Sequence, residues 1–391
     1  MTSRPRSLVS CTVATLAGVL SVALAPCALA QSQGASPEAA KVQALIKDLD
    51  LKESATASRE RKDWRVPKKI VLLGGDPATR AARDDFAKIV PGAEVVAVPD
   101  FDAAVAAMPN ADIIVGLTIE LGVCDRPITQ AAKQLRYVMS MSAGVERCVA
   151  NPDIPGRGML VTNLRAIDSA TIGEHAIALT LALARGFDKF VVDTKEGQWR
   201  RGNAGRMQTL VGKTLLVVGL GGIGTEVASR AHGLGMKVTA TRNSGRTGPD
   251  YVSYVGLPSE LMTLAKDADV IVNTAPLTRE TTGLFDAKFF AAMKPTAYFV
   301  NIARGGSVVT ADLQKALEEG RIAGAGLDVV EPEPLPANHP LWKAPNLIIT
   351  PHISSRADVQ GEGRWLLARE NLRRYVAGGK MLSEVDLKKE Y

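Results

Sequence analysis

Thr214-Leu-Leu-Val-Val-Gly219-Leu-Gly221-Gly222-Ile223-Gly224-Thr-Glu-Val-Ala-Ser-Arg230 is the stretch that decides the fold. A short Leu/Val run meets a glycine cluster and passes at once into a helix-forming segment. That order predicts a buried parallel strand, a tight turn and a helix whose N-terminus faces a phosphate, with Gly222 and Ile223 among the cofactor-binding residues. Gly219 suits the turn, Gly221 lets the backbone approach a pyrophosphate, and Gly224 permits close packing of helix on strand. The unpaired N–H groups and the dipole of that helix favour an anion at its start. A glycine triplet alone is a weak signal; strand before and helix after give it force.

Eighteen residues past Gly224, after the apolar run Lys237-Val-Thr-Ala-Thr241, a carboxylate would ordinarily bind the adenosine ribose of NAD. Here stands Arg242, followed by Asn243, Ser244, Gly245 and Arg246. An Arg pairs with a 2′-phosphate through two parallel hydrogen bonds, and the repelling acid is gone. The expected cofactor is NADP(H), with NAD(H) as the second choice. The competing reading has Arg242 stack on adenine.

Working outward, Val270–Asn273, Tyr298–Asn301, Ala325–Leu327 and Leu347–Thr350 continue the pattern, giving six strands in this half. Upstream, Ile70–Leu73, Val95–Val98, Ile113–Val115 and Tyr137–Met139 alternate with helix-like segments at Ala78–Val90 and Phe101–Met108, and Val161–Asn163 closes that unit. Such alternation implies parallel sheets with helices on their faces. The expected class is α/β, with two Rossmann-like parallel-sheet domains: a flavodoxin-like substrate domain and a doubly wound dinucleotide-binding domain. Asp168-Ser169 is expected to cap the linking helix Ile172–Arg185, whose apolar residues occupy more sides than one core needs. The chain turns helical again at Gly363–Val376 and returns to the first domain. The divisions expected are 67–167 with 353–391 for substrate, and 168–352 for dinucleotide.

The first 30 residues stand apart. Arg4 and Arg6 precede an apolar run from Leu8 to Ala25, Ala28-Leu29-Ala30 fits a small-x-small cleavage site, and no acid occurs before Glu38. This is a signal-peptide pattern, with cleavage at Ala30/Gln31, an exported and periplasmic protein, and no membrane association afterwards. Residues 31–66 read as a polar extension with a helix at Pro37–Leu51 and a solvated charge run at Arg59–Asp63. The formal charge of +6 includes Arg4 and Arg6, which leaves 45 Lys and Arg against 41 Asp and Glu, or +4. That excess is dispersed, which argues against nucleic-acid binding. Of four cysteines, Cys124 and Cys148 remain after the signal; they lack metal-ligand spacing and read as packing residues, with a disulfide open to them if the protein is exported.

Three clusters follow predicted strands in the second half, where doubly wound sheets bind ligands. Arg304 leaves a strand into Gly305-Gly306, Asp328-Val-Val-Glu331-Pro-Glu333 follows the next strand, and Thr350-Pro-His352 the last. Each residue alone would be unremarkable on a surface loop; three complementary groups at successive strand ends suggest a site. Arg304 would clamp and polarise a 2-keto acid, and His352 would protonate the developing alkoxide. Glu333 would orient and charge the imidazole.

The chain resembles the D-isomer-specific 2-hydroxyacid dehydrogenase family from about Lys68 to Leu382. The pieces are the Gly219–Gly224 turn, Pro276-Leu-Thr278 with Thr281, Asn301–Gly305, Gly326-Leu-Asp328 through Glu333-Pro334, and Thr350-Pro-His352. The resemblance implies Arg304, Glu333 and His352 as the catalytic set, with Glu333 rather than Glu331 because it directly precedes Pro334. It implies cofactor contacts from Pro276, Thr281, Ala303 and Asp328, the last with the nicotinamide carboxamide. Ser142-Ala143-Gly144-Val145 resembles the loop whose N–H groups bind the substrate carboxylate. A homodimer is implied, meeting through Ile172–Arg185 and the arm around Trp199. Arg242 departs from the usual acid, as in NADP-using glyoxylate and hydroxypyruvate reductases, and the export signal is out of place for a dinucleotide enzyme. Other functions left open are oxidation of another small anion such as phosphite, and a non-catalytic nucleotide-binding regulatory module.

Overall fold

The computed structural model describes residues 37–118, 122–205, 207–358 and 360–390, so the signal pattern and its cleavage site lie outside the described residues. The chain divides into Met1–Ala40, described only at its helical end, and Lys41–Tyr391, which carries everything below. Its strands are β1 (Glu53–Ala57), β2 (Lys69–Leu73), β3 (Glu94–Val98), β4 (Ile113–Gly116), β5 (Tyr137–Ser140), β6 (Leu160–Thr162) and β7 (Thr214–Val218). They continue with β8 (Lys237–Thr241), β9 (Val252–Gly256), β10 (Val270–Asn273), β11 (Tyr298–Asn301), β12 (Gly324–Leu327), β13 (Leu347–Ile349) and β14 (Lys380–Leu382).

Two parallel sheets result. The first has the order β3-β2-β4-β5-β6 and the second β13-β12-β11-β10-β7-β8-β9. Neighbouring residues of one strand serve opposite faces: Leu215 and Val217 join one core, Leu216 and Val218 the other. Ile70 and Leu72 divide from Val71 in the same way. Both faces of both sheets are therefore covered, which is why their strands read as continuous apolar runs. The α/β class and its two parallel sheets are as expected.

Four expectations need correction. The second sheet has seven strands, because Val252–Gly256 adds an edge beside β8. It is a short strand with Ser253 and Tyr254 turned outward, so its apolar signal is thin. The polar extension is structured: β1 pairs antiparallel with β14, and Leu51 is buried in the first core. The charge run is only partly solvated, since Arg59 donates to the carbonyls of Gly378 and Ala377 and Arg61 pairs with Glu384. The linking helix spans Ser169–Arg185, and Asp168 makes no side-chain cap; its carboxylate takes two hydrogen bonds from Arg364 at 2.7 and 3.2 Å.

Arg364 lies on the C-terminal helix Gln360–Val376, whose Leu367, Ala368, Leu372 and Tyr375 lie in the core of the first sheet. The apolar residues of the linking helix are used by the second core, among them Ile172, Ala176, Leu179 and Leu183. Exposed apolar side chains follow it instead, at Phe187, Val191, Val192, Trp199 and Val211.

Candidate active site

The glycine turn is built as its sequence requires. Gly219 has φ 94°, and a Cβ there would stand 2.8 Å from the backbone of Ala275. One on Gly224 would stand 2.4 Å from the carbonyl oxygen of Gly219, so a larger residue would push the helix off the strand. Gly222–Gly233 is helical with Gly221 as its N-cap, and a Cβ on Gly221 would meet nothing within 4 Å. Open space before a helix N-terminus is what a pyrophosphate requires. These residues fit a dinucleotide. Ile223 packs partly against the second-sheet core, and Thr281 accepts from the Thr278 amide and donates to the Pro276 carbonyl at 2.6 Å, holding the loop after β10.

Arg242 follows β8 and is drawn toward its own loop, donating to Ser244 Oγ at 2.8 Å and to the Thr247 carbonyl at 2.9 Å. Ser244 thus serves Arg242 directly. Arg246 is otherwise engaged: it lies 2.7 Å from Glu260 and 3.0 Å from the Tyr254 hydroxyl. Hydrogen bonds from Tyr254, the Leu257 amide and Arg246 bring the Glu260 carboxyl down to about 2. The charge of Arg246 is answered by Glu260, in the turn just after the edge strand that the sequence did not reveal.

Arg304, Asp328 with Glu333, and His352 follow β11, β12 and β13, three adjacent strands. Beneath Arg304 lies a buried amide network. Asn273 and Asn301 end neighbouring strands and are fully buried; Asn273 Nδ2 donates to Asn301 Oδ1 at 3.0 Å and to Ser307 Oγ at 2.9 Å. Asn301 and Ser307 both donate to the Arg304 carbonyl, and Asn301 accepts from the Ala303 amide. Asn273 and Ser307 were missed in the sequence. Their signal was an Asn closing each of two apolar strands, meaningful only once the strands are paired.

The Arg304 guanidinium reaches the first sheet's side of the cleft. Nε lies 2.9 Å from Glu146 Oε1, and Nη1 donates to the Ala303 carbonyl at 2.7 Å. A Cβ on Gly144 would fall 1.6 Å from Nη2, so only glycine allows this approach. The loop carrying Ala143 and Gly144 is tied down by Thr118, whose hydroxyl donates to the Gly144 carbonyl at 2.9 Å, and by Asn163, which donates to the Ala143 carbonyl. The amides of Ala143 and Gly144 donate to no acceptor among the described residues. Glu146 was not singled out by sequence. It begins the helix Glu146–Ala150, which a Cys124–Cys148 disulfide joins to the segment after β4, with Cα atoms 4.8 Å apart.

His352 Nδ1 stands 2.7 Å from Glu333 Oε1. The imidazole therefore gives Nδ1–H to the carboxylate and presents Nε2 elsewhere. Glu331 uses its carbonyl to accept from Thr310. Asp328 is buried, and its oxygens accept from the Thr350 hydroxyl and the amides of Ile353 and Ser354. Burial alone would raise its carboxyl, but hydrogen bonds from Ser354, Thr350 and Ile353 outweigh that and hold it below the usual carboxylate range.

The family described as D-isomer specific 2-hydroxyacid dehydrogenase, NAD binding domain, matches residues 177–354. The glyoxylate reductase of Thermococcus litoralis is 35% identical over 266 residues, which is 65% of this chain and 78% of the relative. The glyoxylate reductase/hydroxypyruvate reductase of Homo sapiens is 35% identical over 272 residues, 67% of this chain and 80% of the relative. A D-isomer specific 2-hydroxyacid dehydrogenase of Xanthobacter autotrophicus, solved with NADPH, superposes at TM-score 0.69 with 28% identity, covering 83% of this chain and 100% of that one. With a glycine turn fit for a dinucleotide beside an Arg, a Glu and a His at adjacent strand ends, the chain belongs to the D-isomer specific 2-hydroxyacid dehydrogenase family.

Proposed function

We propose that this oxidoreductase reduces a small 2-keto acid of the glyoxylate or hydroxypyruvate type with NADPH, and oxidises the matching 2-hydroxy acid in reverse. The observation that carries the reading is the His352 Nδ1–Glu333 contact of 2.7 Å, on the strand end next to those of Asp328 and Arg304. The bound nicotinamide supplies hydride to the keto carbon. The rest falls to the chain. The amides of Ala143 and Gly144 and the Arg304 guanidinium bind the carboxylate, and Arg304 polarises the keto oxygen. His352 delivers the proton from Nε2 to that oxygen, and Glu333 stabilises the imidazolium through Nδ1–H. Residues 67–167 and 353–391 serve the acid, residues 168–352 the dinucleotide.

Arg242 with Ser244 supports NADP(H) over NAD(H). The exposed apolar side chains from Phe187 to Val211, with Trp199 87% exposed, support a homodimer covering that surface. Export to the periplasm rests on the first 30 residues and is in keeping with the Cys124–Cys148 pair.

The test is oxidation of NADPH and NADH, followed by absorbance, against glyoxylate, hydroxypyruvate, pyruvate and bulkier keto acids, with phosphite and NADP+ as the contrasting pair. Arg304→Ala and His352→Ala are expected to stay folded and to lose roughly 10²–10⁴-fold in turnover. Turnover near wild type in either variant refutes the assignment of roles.

A further inference from the structure

A second histidine stands behind the His352 turn. His175 lies on the linking helix Ser169–Arg185, with Nε2 2.8 Å from the Thr350 hydroxyl oxygen and 3.6 Å from Asp328 Oδ1. The same hydroxyl donates to Asp328 Oδ1 at 2.7 Å. A threonine hydroxyl has one proton, here given to the carboxylate, so its oxygen accepts from the imidazole. His175 Nε2 therefore carries hydrogen, and the order runs from imidazole N–H to hydroxyl to carboxylate.

That carboxylate holds the turn on which the proposed acid sits. Asp328 accepts the amides of Ile353 and Ser354 at 3.0 Å each, and its backbone carbonyl accepts the His352 amide at 2.8 Å. The turn needs holding. His352 has φ 52°, a left-handed backbone that a residue with a Cβ keeps only when its surroundings enforce it. Thr350 and Asp328 follow paired strands, β13 and β12, while the helix that carries His175 is anchored through Ala176, Leu179 and Leu183 in the second core. A rigid helix thus sets the rotamer of Thr350, Thr350 sets Asp328, and Asp328 sets the His352 turn.

We propose that His175 is a positioning residue for His352, acting through Thr350 and Asp328. This rests on the reading of His352 as the proton donor; the geometry of the turn does not. His175 touches no reacting atom in this scheme, and its contribution is the direction of the His352 imidazole.

The test combines kinetics with amide hydrogen exchange on the full chain. His175→Ala should speed exchange at Ile353 and Ser354 and lower kcat, each about tenfold, the scale of one lost hydrogen bond. His175→Gln, whose amide can still donate to Thr350, should recover most of both losses. Thr350→Val, which also removes the hydroxyl's own bond to Asp328, should lose at least as much as His175→Ala, and the double variant should be no worse than Thr350→Val, because one path is broken twice. Additive losses, unchanged exchange at Ile353 and Ser354 in folded His175→Ala, or a folded His175→Gln as impaired as His175→Ala, would overturn the proposal. His352→Ala separates the two levels: activity retained there removes the proton-donor reading, whereas the exchange data report on the His175 path by themselves.

Discussion

Glu146 and Arg304 meet across the cleft, Oε1 to Nε at 2.9 Å, joining a helix start beside the first sheet to a loop leaving the second. The guanidinium is held at two of its three nitrogens, by Glu146 at Nε and by the Ala303 carbonyl at Nη1. A guanidinium held in this way is oriented and still has donors to spare, because it offers five.

Glu146→Ala is therefore expected to loosen Arg304 and to lower kcat/KM for the keto acid about tenfold, the scale of one charge-assisted hydrogen bond. Affinity for NADPH, measured by fluorescence titration, should stay within a factor of about two, below one hydrogen bond's worth. Unchanged kcat/KM would mean that the pair orients nothing.

Cofactor choice is expected to rest on Arg242 far more than on Arg246. Arg242→Asp removes a phosphate partner and adds a repelling charge, so it should weaken NADPH relative to NADH by roughly tenfold to a hundredfold. Arg246→Ala should change that ratio less than about threefold, because its charge is answered by Glu260. The pairing should not vary across ordinary assay pH. Glu260 has its carboxyl lowered to about 2 in the fold, so the pair is intact above the ordinary carboxylate range and fades only as pH falls toward that value. Ratios of kcat/KM for the two cofactors decide the matter, and a wild-type preference for NADH sinks it.

Light scattering at micromolar concentration is expected to report a dimer mass. The surface from Phe187 to Val211, rather than the helix before it, should form the contact, and Trp199→Glu should shift the mass toward a monomer. A monomeric wild type would overturn this.

Mass spectrometry of protein from the native host should find Gln31 at the N-terminus and no free thiol after denaturation without reductant, since Cys124 and Cys148 are the cysteines that remain. An intact Met1 with four free thiols, those of Cys11, Cys27, Cys124 and Cys148, would place the protein in a reducing compartment.

Much was legible in the sequence because it was local. The run Thr214–Val218 with its glycine turn specifies strand, turn and helix within a few residues, and Arg304, Glu333 and His352 declare themselves by chemistry at strand ends. Strand β9 was not legible: it is short, half-exposed, and defined by its pairing with β8 rather than by its own pattern. Nor was β1, whose partner β14 lies at the far end of the chain. Glu146, Asn273 and Ser307 are ordinary polar residues until folding sets them against Arg304 and its loop. His175 reads as part of an apolar helix, and its link to Thr350 spans 175 residues. The sequence by itself determined which groups could carry acid–base and anion-binding chemistry, because residue type and short spacing are local properties. Which groups orient them was decided by tertiary structure alone, because a hydrogen bond requires a distance and an angle that only the closed fold supplies.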